Sequence, residues 1–244
     1  MEKILSYPIS VLYWLVFFLL LVIFHPIQWI CYNVFGYQAH KKSVDILNLG
    51  LVRCTHILGT TYKIEGREQI PAGVPLIIVA NHQSMNDIPP IIWFLRKFHP
   101  KFISKKELGK GIPSVSYNLR KSGAALIDRK DPKQALPAIK ELAQYIEKHK
   151  RAAVIFPEGT RSKTGEPKRF AESGLKILCK FAPSAYIVPV SINNSWKLFK
   201  FGKFPLGLGS HITLTIQEPF AIQHIPFEEV MERTEREVKQ GIKN

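Results

Sequence analysis

The sequence predicts an α/β fold: a mostly parallel sheet flanked by helices, with an N-terminal membrane-embedded helical anchor in front of it. Three observations carry this. Residues 4–40 contain no Lys, Arg, Asp or Glu. From Tyr62 onward, short apolar runs alternate with helical patterns, as in layered α/β domains. Several of those runs are continuously apolar, which is how strands covered on both faces read.

The anchor comes first in the chain. Val11 to Phe24 is an unbroken apolar run of 14 residues, which His25-Pro26 then interrupts. A spanning helix needs about 20 apolar residues. Counting back to Ile4 reaches that length, although Ser6, Pro8 and Ser10 weaken it. A second segment, Ile27 to Gly36, is amphipathic and aromatic, as segments at a membrane–water interface are. Residues 1–60 therefore read as membrane-anchoring helices: either one crosses, or two lie in a single leaflet. A cleaved secretory signal fits poorly, because Glu2 offsets Lys3 and no small-residue cleavage site follows. If the segment crosses once, Lys41, Lys42 and Arg53 put the following domain in the cytoplasm.

Residues 61–244 read as one α/β domain. Strands are expected at Tyr62–Glu65, Pro75–Ala80, Lys101–Ser104, Ala124–Ile127, Ala152–Phe156, Tyr186–Ile192 and His211–Gln217. Asp131 and Pro132 supply an N-cap and first helical residue. Ala135, Ile139, Leu142 and Ile146 then recur at helical spacing. A last amphipathic helix is expected from Phe227 to Gln240. Pro189, inside an apolar run, suggests an edge strand or a bulge. Ligands of such sheets bind beyond the carboxyl ends of the strands, which is where the polar motifs fall.

Composition narrows the partners. With 34 Lys plus Arg against 19 Asp plus Glu, the formal charge is +15, which favours anionic partners. A nucleic-acid binder also fits that charge, but RNA-binding signatures with aromatic platforms on strands are absent. Three widely spaced cysteines, Cys31, Cys54 and Cys179, form no zinc motif and no disulfide framework. This agrees with a reducing, cytosol-facing setting.

Five stretches could carry chemistry. In NHQSMND, 81–87, His82 and Asp87 are five apart. On one ideal helix they would sit about 140° apart and miss each other. With His82 in a loop and Asp87 at the start of a helix they can pair, leaving the second imidazole nitrogen as a base. No Ser or Cys nucleophile is evident, which fits direct deprotonation of a substrate hydroxyl. The same Asp serves equally well as a plain helix cap. Lys105, Lys106 and Lys110 form a basic turn after a short strand. Arg129 ends the SGAALIDRK run, where a guanidinium can hold phosphate or carboxylate. Glu158, Gly159, Thr160 and Arg161 follow the strand of AVIFPEGTRS, where glycine lets a ligand approach the backbone. IVPVSI, with Pro189, is the fifth.

Taken together, NHQSMND, GAALIDR (123–129), FPEGTRS (156–162) and VPV (188–190) resemble the glycerolipid acyltransferase family, in particular its 1-acylglycerol-3-phosphate O-acyltransferases. FPEGTRS is the most specific block. The resemblance implies transfer of an acyl chain from acyl-CoA or acyl carrier protein to the free hydroxyl of lysophosphatidic acid, giving phosphatidic acid. It implies His82 as base and Asp87 as its orienting partner. Lys105, Arg129 and Arg161 become candidates for the substrate phosphate, and Glu158, Gly159 and Thr160 would shape the acceptor site. It implies no metal and no cofactor beyond the thioester co-substrate, and a cytoplasm-facing enzyme on a bacterial inner membrane. The expected partners are membrane lipid, lysophosphatidic acid and the acyl donor, with no nucleic acid. Lys168, Arg169, Lys176, Lys197, Lys200 and Lys203 would add attraction to anionic lipid at about 1 kcal/mol each where they face it. One departure stands out. The family usually has Phe-Lys-x-Gly after this block, whereas here Phe170 is followed by Ala171-Glu172-Ser173-Gly174. Alternative readings are a same-fold acyltransferase using another lysophospholipid, glycerol 3-phosphate or a lipid A precursor, and, more distantly, a non-catalytic membrane-binding protein.

Overall fold

The computed structural model describes residues 1–243. Its first element, α1 (Glu2–Cys54), is a long helix broken once, at Gly36, whose φ of 76° and ψ of −167° are non-helical. The sequence placed the interruption at His25-Pro26, but Pro26 is carried within the helix. A proline costs a helix one donor and crowds the preceding turn, yet the chain can continue past it. Reversing direction needs the positive φ that glycine accepts. The two arms, 2–35 and 37–54, run antiparallel. Tyr32 and His40 face each other at 5.4 Å, a Cβ on Gly50 would lie 3.3 Å from Leu20, and Cys54 Sγ reaches the Tyr13 carbonyl at 3.5 Å.

The first arm buries one stripe: Ser6, Ser10, Tyr13, Phe17, Leu21 and Gln28. The steps of three, four and seven keep it on one helical face. Each large apolar member of that stripe contributes roughly 1.5–3 kcal/mol on burial. Polar bonds set its height: Ser10 Oγ accepts from the Leu206 amide at 2.8 Å, and Tyr13 donates to Asn86 Oδ1 at 3.2 Å. The other faces expose Ile4, Leu5, Val11, Leu12, Leu15, Phe18, Leu19 and Val22.

The remaining elements are β1 (Thr61–Glu65), β2 (Leu76–Ala80), α2 (Ile88–Phe94), β3 (Lys101–Lys105), α3 (Val115–Lys121), β4 (Ala125–Ile127), α4 (Pro132–His149), β5 (Ala152–Ile155), α5 (Glu172–Phe181), β6 (Tyr186–Asn193), β7 (His211–Ile216), β8 (Phe220–Ala221) and α6 (Phe227–Gln240). The sheet order is β1-β7-β6-β2-β5-β3-β4, with β8 beside β6. The pairs among β6, β2, β5, β3 and β4 are all parallel, and only β6–β7 and β6–β8 are antiparallel. Five adjacent strands therefore deliver their carboxyl ends to one edge. Asp131 caps α4, accepting from the Gln134 amide at 3.3 Å, and Ala135, Ile139, Leu142 and Ile146 are its buried face.

Of the edge strand or bulge expected at Pro189, the edge strand is overturned. It sits in β6, inside the sheet, paired with Val79. On its other side β8 pairs only with 186–187 and β7 only with 190–193. Pro189 falls at the gap between those two partners, where the ladder requires no amide from it. Its carbonyl still accepts from Gln217 N at 2.9 Å.

Both faces of the sheet are covered. One layer packs Ile77, Val79, Ala153 and Ile155 against α4, α5 and α6. The opposite layer packs Ile78, Val154 and Val188 with Tyr13, Phe17 and Leu21 of α1. The N-terminal helix is thus part of the domain's core on that side.

Candidate active site

β2 ends at Ala80, and Asn81 pins the exit. Its side chain donates to the Ile192 carbonyl at 2.8 Å and accepts from the Ile192 amide at 2.7 Å. His82 follows in open loop. Ser84 starts a 3-10 turn (Met85–Asp87) as its N-cap, with Asn86 N donating to Ser84 Oγ at 3.0 Å. Asp87 closes that capping box by accepting from the Ser84 amide at 2.9 Å. The same Asp87 Oδ2 meets His82 Nδ1 at 2.8 Å. Cap and imidazole partner are thus one carboxylate, and the tight turn is what brings residues five apart into contact.

Asp87 is fully buried, so its charge needs donors. Gln83 N supplies one at 2.7 Å and Ser195 Oγ another. Gln83 in turn accepts from the Ser195 amide at 3.0 Å. The imidazole lies flat on Phe156, centroids 4.1 Å apart and planes 17° from parallel. Ring and carboxylate are therefore held before any substrate arrives. With Nδ1 committed to Asp87, Nε2 is the nitrogen left to take a proton. The sequence alone assigns no site role to Ser195 or Phe156. Ser195 lies 108 residues from Asp87 and gives no local signal, whereas Phe156 opens the FPEGTRS block and was within reach.

The β5 exit supports the same loop. Glu158 is 8% exposed and points inward: Oε1 accepts from the His82 amide at 2.9 Å, and Oε2 from the Lys168 amide at 3.3 Å. Burial raises its pKa above the usual carboxylate range, with those two amides opposing the shift. Ser162 N donates to the His82 carbonyl at 2.7 Å. Glu158 thus shapes the backbone around His82. Gly159, at φ 68°, has its carbonyl taken by Arg129. That bond joins the β4 exit to the EGTR loop. Burial lowers the Arg129 pKa from its ordinary value, which leaves a guanidinium charged. Thr160 and Arg161 are exposed beside it, and Lys105 is exposed at the end of β3, two strands across from β2. Gly174 has a packing reason: a Cβ there would lie 2.9 Å from Ile155.

The lysines expected to face lipid differ in their surroundings. Lys200 stands at the start of α1, pairing with Glu2 at 2.6 Å, while Lys197 lies over the Trp196 ring at 5.9 Å. Lys168 instead braces the Arg161 carbonyl at 3.1 Å, and Lys176 lies over the Phe227 ring at 5.2 Å. Between the α1 hairpin and the active-site loop is a largely apolar cavity of ≈ 440 Å³, whose walls include Trp14, Phe17, Leu21, Leu47, Met85 and Ile88. Gln28 lies on the same wall, buried, and its side-chain amide has no partner. Among the described residues no His/Cys/Asp/Glu cluster could hold a metal ion.

The Acyltransferase family model matches residues 61–193, more than half of the chain and every residue of this site except Ser195. The chain belongs to the Acyltransferase family. Among similar sequences, the acyltransferase of Helicobacter pylori named 1-acyl-sn-glycerol-3-phosphate acyltransferase is 40% identical over 127 residues, 50% of this chain and 50% of that protein. The Saccharomyces cerevisiae protein of the same name is 28% identical over 184 residues, 74% of this chain and 58% of its own. The chain thus spans about half the length of the curated acyltransferases it matches. Among solved structures, the 1-acyl-sn-glycerophosphate acyltransferase PlsC of Thermotoga maritima superposes with a TM-score of 0.81 at 26% identity, covering 99% of this chain and 96% of that one.

Proposed function

We propose that this acyltransferase moves an acyl chain from a thioester donor, acyl-CoA or acyl carrier protein, to the sn-2 hydroxyl of 1-acylglycerol 3-phosphate. The observation that carries the reading is the 2.8 Å His82–Asp87 pair beside a cationic loop. His82 Nε2 takes the hydroxyl proton as the oxygen attacks the thioester carbonyl. Asp87 stabilises the imidazolium that forms, and the proton then passes to the departing thiolate. General-base action of this kind contributes about 10²–10⁴-fold. Arg129, held by the Gly159 carbonyl, would present the rest of its guanidinium to the substrate phosphate together with Arg161 and Lys105.

The acyl chain would enter the apolar cavity beside Met85. The α1 hairpin would lie in a single leaflet at the cytoplasmic face. Its buried stripe is bonded to the Asn86 loop and to Leu206. A crossing helix would draw that irregular backbone into hydrocarbon, which cannot satisfy it. Lys200 stands at the arm's start, where anionic headgroups would lie.

The test is mass spectrometry of the lipid product from mixed acyl donors and a panel of acceptors, with His82→Ala as control. Phosphatidic acid formed by the wild type and absent with the variant is the expected result. The Ala171–Gly174 departure makes glycerol 3-phosphate and other lysophospholipids necessary members of the panel. Turnover of one of these with lysophosphatidic acid inert would overturn the acceptor assignment.

A further inference from the structure

A second cluster of ionisable side chains lies away from the active-site edge, around Lys101 at the opening of β3. It is built from three directions. The second arm of α1 contributes Tyr37, His40, Lys41 and Asp45. The turn after α2 contributes Arg96 and His99, and the residue before β5 contributes Arg151. Positive charge outnumbers negative: Lys41, Arg96 and Lys101 all act on the lone carboxylate, Asp45, and Arg151 adds its field to Lys101. Lys41 pairs directly with Asp45 and donates to the Arg96 carbonyl at 2.7 Å, so that carboxylate is already engaged.

Lys101 therefore has no carboxylate in direct contact: Asp45, paired with Lys41, reaches it only through its field, and Arg151 and Lys41 oppose that field. It is 4% exposed, and its ammonium donates to Tyr37 Oη at 2.9 Å, a neutral partner. A buried ammonium without a directly paired counter-charge is costly. Beside it, His40 is fully buried and neither ring nitrogen has a hydrogen-bond partner. Unpaired buried polar atoms of this kind are rare and call for an occupant. Both side chains line one cavity of ≈ 30 Å³, whose other polar walls include Tyr37, His99, Asn118, Ser122 and the Lys41–Asp45 pair. A water needs about 10–15 Å³ on this measure. On that measure the space holds about two to three water-sized particles, less than phosphate or a carboxylate ligand needs.

We propose that this cavity is a binding site for a monatomic halide, chloride in the cell, held by the Lys101 ammonium and by an N–H of His40. The site would tie the hairpin to the sheet, since Tyr37 and His40 come from α1 and Lys101 from β3. Val44, Ile92 and Phe102 are shared with the wall of the large apolar cavity, so the ion would brace that wall too. The inference is independent of the acyl-transfer reading.

The site predicts a pH signature. Burial pushes the empty-site Lys101 down to about 7 from 10.5, and burial takes both His40 and His99 down to about 4. The unfolded chain then binds the extra lysine proton between those two pH values. Stability accordingly falls as pH drops from about 10.5 towards 7 when no anion is bound. A bound halide favours the charged ammonium and flattens that slope.

The experiment uses the purified full chain in two arms. In thermal unfolding at constant ionic strength, chloride or bromide replaces gluconate, which is too large for the cavity. At pH 6 a halide-specific Tm rise of about 5–10 °C is expected at roughly 100-fold excess over Kd. The rise should shrink above pH 7 and vanish by pH 9, and Lys101→Met should remove it. The second arm needs no variant: crystals grown in bromide should show an anomalous peak between Lys101 Nζ and the His40 ring. Equal Tm in halide and gluconate, or a cavity holding only water in bromide crystals, would overturn the proposal.

Discussion

Replacing Asp87 by Asn removes one charge and leaves the shape in place, so it isolates what the carboxylate does for His82. In the wild type, Oδ2 accepts from His82 Nδ1, Gln83 N and Ser84 N at 2.8, 2.7 and 2.9 Å. Oδ1 faces two hydroxyls, Ser195 Oγ and Ser84 Oγ, the latter at 3.4 Å. An amide placed with its oxygen at the Oδ2 position keeps all three nitrogen donors. Its NH₂ group then meets hydroxyls, which can rotate to accept. The fold should survive. The lost quantity is attraction to the imidazolium formed in the reaction. At about 4 Å between charge centres and an effective dielectric of 20, that attraction is roughly 4 kcal/mol. At 1.36 kcal/mol per decade, kcat should fall about 10³-fold with KM nearly unchanged. The analogous change in serine proteases costs about 10⁴-fold, so the expected loss lies between these values. Initial rates of thiol release from the donor the wild type uses, with near-ultraviolet circular dichroism to confirm folding, decide the matter. A folded variant with kcat within tenfold of wild type would refute the proposed role of Asp87.

Two further outcomes follow from the packing. Ser195→Ala deletes a buried hydrogen bond to the Asp87 carboxylate, a bond class worth about 1.5–3 kcal/mol. At roughly 2–4 °C per kcal/mol for a chain of this size, Tm should drop about 3–12 °C. Because three nitrogen donors still hold Asp87, kcat should stay within tenfold; an unchanged Tm would mean the hydroxyl is not a partner. Gly66→Ala places a Cβ 2.2 Å from the Ile216 carbonyl at a φ of 76°. Left-handed backbone alone costs a residue with Cβ about 1–2 kcal/mol, and the clash forces β1 from β7. Tm should fall by at least about 5 °C in a thermal scan, and a variant as stable as wild type would show that this turn is free to relax.

Local order was legible wherever a pattern repeats within one element. The strand at Leu76–Ala80 and the helix at Phe227–Gln240 lie where apolar runs and helical spacing put them. The seventh strand, His211–Ile216, ends one residue before the expected boundary. β8 escaped notice because its two residues, Phe220 and Ala221, are too few to show a period. The sequence marks the end of the apolar run at His25-Pro26 but gives no place for the turn, because proline is the louder signal there than Gly36. Whether a helix bends there depends on what the next residues pack against, and Tyr32, His40 and Leu20 packing across the hairpin decide it.

The candidate site divides in the same way. His82, Asp87, Glu158 and Arg129 were singled out because residue types with usable charge cluster at strand ends. Their actual geometry was not written there. Glu158 could have faced a ligand, and it faces the His82 amide instead. Ser195 becomes a partner of Asp87 because β2 and β6 are neighbours in the sheet, a relation that exists only after folding.

The chain by itself determined the element types, the apolar amphiphile at its start, and the residues able to take a proton or hold an anion. These depend on side-chain chemistry and on spacing within a few turns. The tertiary structure alone decided that α1 folds back onto the sheet, that β6 tolerates Pro189 at a gap between partners, and that one buried carboxylate serves both a helix cap and an imidazole. The first two depend on groups far apart in sequence packing together, and the third on a turn tight enough to bring residues five apart within about 3 Å, the range at which hydrogen bonds form. Linear spacing carries no measure of that distance.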